Sequence, residues 1–146
     1  MKIKFRWDKQ RAIDEIEIIA NPVNKEKLGS LKDGLETSIS LNVQNPKNNR
    51  QLRIDIQQIE MIKALGHLCK VVLVNKEEYL LQKRLKELEI LEDNGLYRIN
   101  NSTILNLSQV ASFKSGEYAR LEVYTKNNTK YLVSRHYAKL IKEKLG

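Results

Sequence analysis

Two residues that often carry out catalysis, His67 and Cys69, lie two positions apart in this sequence. A histidine can activate a neighbouring thiol as a nucleophile, and both residue types bind zinc. However, no third or fourth metal ligand follows at a suitable spacing, and the sequence has no glycine-rich phosphate loop and no GxSxG motif. Because residues i and i+2 of a strand share a face, a turn histidine followed by a core cysteine explains the pair more simply. We therefore expect no enzyme, no metal, no cofactor and no small-molecule substrate.

A second chemical pattern is the stretch RINNSTILNL, residues 98–107, in which four polar side chains separate two apolar segments. Asparagine can bind adenine through N6 and N7, and arginine can bind guanine through N7 and O6. Asn100, Asn101 and Arg135 have the side chains for such recognition. Taken alone, the residues favour a plainer interpretation, because asparagine pairs often form turns and Arg135 could be a solvated residue at a helix start.

The charge of the chain favours an acidic partner. The 146 residues include 26 Lys and Arg against 18 Asp and Glu, a formal net charge of +8. Basic side chains after residue 60 would neutralise phosphates and make nucleic-acid binding depend on salt. Cys69 is the only cysteine, and no apolar run approaches the ~18 residues that span a bilayer, so we expect a cytoplasmic protein without an intrachain disulfide.

The first third of the chain reads as a strand–helix–strand extension. Residues 2–6 alternate charged and apolar, residues 13–19 are rich in β-branched side chains, and residues 38–43 alternate again. Between them, residues 21–35 predict a helix with Asn21 or Asn24 as its cap, Leu28, Leu31 and Leu35 on one side, and Gly34 as its stop. The polar segment 44–50 reads as a linker, so we place the boundary near residue 48, with an extension at 1–48 and a domain at 49–146.

The domain has mostly the period-two pattern of short strands. We expect strands in the segments 52–56, 59–64, 68–74, 79–82, 96–99, 103–107, 109–114, 120–125 and 130–134. Residues 83–92 predict a helix that Gly95 ends, residues 126–129 a tight hairpin turn, and residues 136–145 a basic closing helix. The predicted fold class is mainly β, α+β overall.

The order of these motifs resembles the LytTR family of bacterial DNA-binding domains from about residue 52 to the C-terminus. The segment IDIQQIEMIKA resembles the opening pair of strands of that family, and the stretch 79–113 resembles its central part, in which a leucine-bearing helix precedes an R-I-x-x-S segment. The segment RLEVYTKNNTKYLVSRHYAKLIKEKL resembles the closing hairpin and SR-x-Y ending. The resemblance implies a nearly all-β domain that lays loops into successive major grooves of bent DNA.

The resemblance also implies which residues contact DNA. Three sites usually read bases in that family, and they correspond here to His67 in the loop ALGHL, Asn101 in the R-I-x-x-S segment and Arg135 before the last helix. The loop ALGHL departs from the commoner pattern, because it is short and apolar and His67 is its only base-reading side chain. The expected backbone contacts are Asn100, Ser102, Lys63 and Lys139.

Residues 1–48 are too few for the receiver domain that precedes most LytTR domains, so the chain resembles the small standalone regulators of the family. We expect a sequence-specific transcriptional regulator that binds double-stranded DNA as a homodimer on repeated half-sites, with residues 1–48 serving dimerisation or regulation. The alternative is a protein-interaction module regulated by a membrane protein, with DNA binding secondary. These small regulators are often controlled by such a membrane protein.

Overall fold

The computed structural model of the chain describes residues 2–13, 15–36 and 39–146. The chain divides into two compact units, Met1–Thr37 and Ser38–Gly146. All strands of the described residues belong to the second unit. The boundary predicted near residue 48 therefore falls between two strands of one sheet, because the strand before it pairs with the strand after it. The dimerisation or regulatory role of residues 1–48 stays a prediction.

The described residues of the first unit contain one α-helix. A short 3₁₀ turn, Pro22–Asn24, leads into α1, Lys25–Glu36. The predicted cap is confirmed at Asn21, whose side chain accepts a hydrogen bond from the N–H of Val23 at 3.0 Å. The helix continues past Gly34, since an interior glycine costs a helix only about 1 kcal/mol. Leu28 is half-buried and Leu31 is 47% exposed, whereas the side chain of Leu35 lies outside the described residues.

The strands predicted at 2–6 and 13–19 are wrong for residues 2–6, 13 and 15–19, and Asp14 lies outside the described residues. Alternation defines two faces, but a strand also needs a hydrogen-bonded neighbour, and these residues have none in the described ranges. Instead, the rings of Phe5 and Trp7 stack with centroids 5.9 Å apart. Their side chains are 76% and 90% exposed, and that of Ile3 is 72% exposed.

The second unit contains two antiparallel sheets. The larger has seven strands in the order β2-β1-β5-β4-β3-β7-β6, and the smaller has three in the order β10-β9-β8. The strands are β1 Ser40–Gln44, β2 Gln51–Asp55, β3 Ile59–Leu65, β4 Leu68–Leu73, β5 Glu78–Leu81, β6 Leu96–Asn100, β7 Thr103–Asn106, β8 Val110–Ser115, β9 Leu121–Thr125 and β10 Lys130–Val133. The closing helix α2 spans Arg135–Leu145. The predicted mainly β fold of short antiparallel strands with small helices is confirmed.

The segment predicted as a helix at 83–92 forms a 3₁₀ helix, Leu85–Asn94, between β5 and β6. Its buried residues Leu85, Leu88 and Leu91 recur every three positions, which matches the three residues per turn of a 3₁₀ helix. Gly95 ends it with φ 90°, as predicted. The predicted hairpin turn between β9 and β10 is also confirmed, with Asn128 at φ 65°.

The larger sheet carries a separate apolar core on each face. On one face, Ile62 and Ile104 pack with the leucines of the 3₁₀ helix and with Val43 of β1. On the other face, Ile99 and Leu105 pack with the small sheet and with Ile141 of α2. Strands β6 and β7 contribute to both cores, so the connection between them is anchored from both sides.

A buried carboxylate, Glu60, ties the two sheets together near the start of β3. Its side chain is 1% exposed and accepts hydrogen bonds from Lys76 Nζ at 2.8 Å, Tyr131 Oη at 2.8 Å and Asn127 Nδ2 at 2.6 Å. Burial alone would raise the pKa of Glu60, but the hydrogen bonds from Lys76, Tyr131 and Asn127 outweigh it, so the pKa lies below its usual value. Burial and the bond to Glu60 in turn raise the pKa of Tyr131.

Candidate nucleic-acid interface

The chain connections that carry the predicted site residues meet at one end of the second unit. Strand β3 pairs antiparallel with both β4 and β7, so the turn Gly66–His67 and the turn Asn101–Ser102 lie side by side. The N–H of Ala64, near the end of β3, donates to the carbonyl oxygen of Ser102 at 2.8 Å and so joins β3 to the Asn101–Ser102 turn. We call this edge, with Ser134 and Arg135 that reach it from β10, the turn end.

Asn101 occupies the tip of the turn between β6 and β7. Its side chain is exposed and makes no hydrogen bond to any described residue. Its backbone is held by Arg98, which donates through Nη2 to the carbonyl oxygen of Asn101 at 2.8 Å and through Nε to that of Asn100 at 3.3 Å. Arg98 also pairs with Glu89 at 3.2 Å, so this arginine has a structural role in the turn. The turn is fixed while the amide of Asn101 faces outward.

Asn100 and Ser102 bond to each other. Asn100 Oδ1 accepts from the Ser102 N–H at 2.9 Å and from Ser102 Oγ at 3.1 Å, which closes a turn of the kind asparagine favours. Asn100 Nδ2 reaches the carbonyl oxygen of Leu132 in β10 at 3.4 Å. Both side chains therefore have hydrogen-bond partners within the protein. Their expected contacts to the DNA backbone stay predictions.

A β-bulge positions Arg135. The register of β6 on β7 shifts between Arg98 and Asn100, so Ile99 has no partner residue in β7. The carbonyl oxygen of Ile99 instead accepts a hydrogen bond from the N–H of Ser134 at 2.8 Å. This bond fixes the first turn of α2 beside the Asn101 turn. Arg135 begins the helix with an exposed guanidinium that forms no ion pair with the described residues.

His67 is exposed at the tip of the β3–β4 turn, where Arg84 contacts it. Arg84 Nη2 lies 3.3 Å from His67 Nδ1. Because a guanidinium only donates hydrogen bonds, Nδ1 accepts here and the ring proton is left on Nε2. His67 therefore presents an N–H donor to the outside, which suits the acceptor atoms of a guanine edge.

Sequence reasoning did not assign a role to Arg84, although this residue brings a fixed positive charge to the turn end. It lies 17 residues from His67 in the chain. Only the register of β5 on β4, in which Leu81 faces Cys69, brings the two together. The contact between Arg84 and His67 can therefore be predicted only when the strand order is known, since alternation alone does not determine which strands are neighbours.

Lys63 and Lys139 lie at the margins of the turn end. Lys63 is exposed on β3, opposite Thr103, and Lys139 is exposed one helical turn after Arg135 on the same side of α2. Their roles as phosphate contacts stay predictions. Cys69 is fully buried in β4, and burial raises the pKa of its thiol, so the side chain packs as a small core residue.

Comparison with known proteins identifies the family to which this chain belongs. The family model of the LytTr DNA-binding domain matches residues 49–146. The chain belongs to the LytTR family of DNA-binding domains. Among solved structures it is similar to the LytTR DNA-binding domain of a methyl-accepting/DNA response regulator from Bacillus cereus, with a TM-score of 0.65, 16% identity, and coverage of 75% of this chain and 98% of that chain. No curated protein matches the sequence.

Family membership makes this LytTR chain a DNA-binding transcription regulator, with double-stranded DNA as its partner. The likeness to the Bacillus cereus domain, at 16% identity, shows a shared fold and does not by itself assign roles to side chains. In the described residues, no helix is both long and apolar enough to cross a membrane.

Proposed function

We propose that this LytTR chain reads a specific duplex sequence through the turn end, with Asn101, Arg135 and His67 contacting bases. The observation that carries the proposal is their convergence. Three side chains from distant parts of the sequence are exposed at one edge, on connections that backbone hydrogen bonds hold in place. Preorganised donors of this kind suit base recognition because little conformational entropy is lost on binding.

The spacing of the turns suits a DNA groove. In the strand order β4-β3-β7-β6, the centres of the two turns are two strand spacings apart, about 10 Å. The major groove of B-DNA is about 12 Å wide. Loops of this size can enter that groove without a recognition helix, while Lys63 and Lys139 at the margins contact phosphates.

We further propose that the regulator binds repeated half-sites as a homodimer, through its first unit. The support is the apolar surface of that unit, where Ile3, Phe5 and Trp7 are largely exposed. Lys2, Lys4 and Arg6 alternate with these residues, whereas Glu15 and Glu17 lie in the second apolar segment. The two segments have opposite charge, so two copies could pair them across a two-fold axis. The alternative function, an interaction module for which DNA binding is secondary, depends on the same exposed apolar residues, and no other observation supports it.

The test of the base contacts begins with selection of a bound sequence from random duplexes by the wild-type chain. Asn101→Ala and Arg135→Ala should each weaken binding of the selected duplex by roughly 1–3 kcal/mol, about 5- to 150-fold, and relax specificity. Lys139→Ala should instead weaken selected and random duplexes by similar factors. Titrations at constant salt measure both. Equal binding of selected and random duplexes by the wild type at physiological salt would refute the proposed function.

A further inference from the structure

The loop between β8 and β9 has an unusual backbone. Within it, Tyr118 and Ala119 follow each other with φ values of 58° and 61°. Non-glycine residues adopt this left-handed conformation at a cost, and a bulky aromatic one rarely does so. The other such residues of the described chain occur singly, at Asn49, Lys76 and Asn128.

Hydrogen bonds across the loop maintain this conformation. The N–H of Gly116 donates to the carbonyl oxygen of Arg120 at 2.9 Å, and the N–H of Arg120 donates to that of Glu117 at 3.2 Å. A Cβ at position 116 would lie 3.3 Å from Cγ of Glu122, so the absence of a side chain at Gly116 allows the two ends of the loop to approach each other closely. The result is an outward-facing Tyr118 whose side chain is 78% exposed.

Tyr118 and Arg120 form a pair with no further partner among the described residues. The guanidinium carbon of Arg120 lies 5.9 Å from the centre of the Tyr118 ring, and Arg120 is exposed without an ion pair in the described ranges. Together they present one hydroxyl and one fork of N–H donors. That combination fits an oxygen-rich anion such as a phosphodiester.

The loop lies at the turn end. In the small sheet, Ser115 faces Leu121 and Leu121 faces Val133, so the end of β8 is level with the end of β10, two residues before Arg135. The 3₁₀ turn Glu117–Ala119 also packs against α2. From β10 to β8 is two strand spacings, about 10 Å, which corresponds to about three base-pair steps of 3.4 Å.

We propose that Tyr118 and Arg120 bind a DNA backbone phosphate about three base pairs from the base that Arg135 reads. The strained backbone holds the ring outward for this contact, which adds affinity without adding sequence preference. This inference rests on the proposed function of the turn end.

The experiment compares Arg120→Gln with Lys126→Gln, which removes the same charge from the β9–β10 turn at the opposite end of the small sheet. Arg120→Gln should lower affinity for selected and random duplexes alike by about 3- to 10-fold and reduce the slope of log affinity against log salt by about 1. Lys126→Gln should change neither. Equal effects of the two substitutions would overturn the inference.

Two further measurements make the test specific. In a series of duplexes of the selected sequence, a neutral methylphosphonate replaces one backbone phosphate at a time. At one position this replacement should weaken DNA binding by the wild type but leave DNA binding by Arg120→Gln unchanged. Tyr118→Gly should keep or raise the melting temperature, because glycine relieves the left-handed strain, while it lowers DNA affinity. An unchanged affinity of Tyr118→Gly, or no position that distinguishes Arg120→Gln, would overturn the inference. If Arg135→Ala weakens specific binding while Arg120→Gln does not, only this inference fails, whereas absence of specific binding by the wild type removes the proposed function as well.

Discussion

At the scale of single residues, the central feature is the division of work within one hairpin. Asn101 offers its amide to the outside, while Arg98, Asn100 and Ser102 fix the turn beneath it. Arg98 is the positioning residue, because among the described residues its side chain alone bonds the carbonyl oxygens of both Asn100 and Asn101. Its bond geometry needs the planar fork of a guanidinium, which lysine does not have.

We expect Arg98→Lys to weaken specific DNA binding about 5- to 50-fold, since a single ammonium nitrogen replaces the two guanidinium nitrogens, Nε and Nη2, that bond the two carbonyls. Binding of random duplexes should change little because the charge is kept. Glu89→Gln is the matched control, since it removes only a surface ion pair of small energetic value. Titration of both duplex types with the two variants measures these effects, and a Glu89→Gln loss as large as that of Arg98→Lys would show that the ion pair, rather than the carbonyl bonds, matters.

At the scale of elements, strand β1 contributes more to the DNA-binding domain than the sequence pattern indicates. It lies before the linker that marks the predicted boundary, yet it pairs with β2 along its length and meets β5 at Gln44. Val43 of β1 is 1% exposed in the first core. The strand therefore belongs to the sheet of the DNA-binding domain, although the family model begins only at residue 49.

Two truncations separate the roles of the first unit and of β1. Removal of residues 1–37 should leave the melting temperature of the second unit and the affinity for a single half-site within about twofold, but abolish dimers. Removal of residues 1–48 should in addition destabilise the domain by about 2–4 kcal/mol, because a buried strand and its valine are lost. Denaturant unfolding and analytical ultracentrifugation measure the two outcomes. Dimers that persist after removal of residues 1–37 would disprove dimerisation through the first unit.

The sequence predicted elements well where local chemistry decides them. Gly95 ends the 3₁₀ helix and the turn after β9 forms as predicted, both with positive φ angles, and α2 begins within one residue of its prediction. The pattern of residues 83–92 predicts a helix, and the strict spacing of three between Leu85, Leu88 and Leu91 suits the 3₁₀ form that the structure has.

Features that depend on distant partners were not predictable in the same way. The alternation of residues 2–6 is real, but no periodicity shows whether a strand finds a neighbour. The contact of Arg84 with His67 and the bond from Ser134 to Ile99 depend on strand order and on a bulge. For the candidate site, the motif resemblance supplied the residues, and the three-dimensional arrangement supplied their common edge.

At the scale of the whole molecule, the second unit has two ends with different character. The turn end exposes basic and amide side chains, whereas the opposite end is tied by Glu60, which bonds Lys76 from the β4–β5 connection and Tyr131 and Asn127 from the small sheet. Loss of this carboxylate would remove the shared acceptor of these three donors and loosen the two sheets relative to each other.

The tie predicts a pH dependence of stability. Because the pKa of Glu60 is lower in the folded state than its usual value of 4.5, its contribution is complete above about pH 4.5 and is lost as the pH falls through the folded-state pKa. At pH 7, Glu60→Gln should cost roughly 1–3 kcal/mol. Denaturant unfolding between pH 7 and pH 3 should show a steeper loss for the wild type than for Glu60→Gln. Parallel curves for the two proteins would show that Glu60 is not the responsible group.

The hairpin at residues 98–103 has a consequence for how such regulators diverge. Arg98 bonds to main-chain oxygens, which every amino acid possesses, so the turn does not depend on which side chain stands at position 101. With Asn101 as the base contact proposed above, a single codon change there would alter the preferred promoter sequence without disturbing the core. Duplicated copies of such a gene can therefore acquire separate targets in small steps, each of them a folded protein.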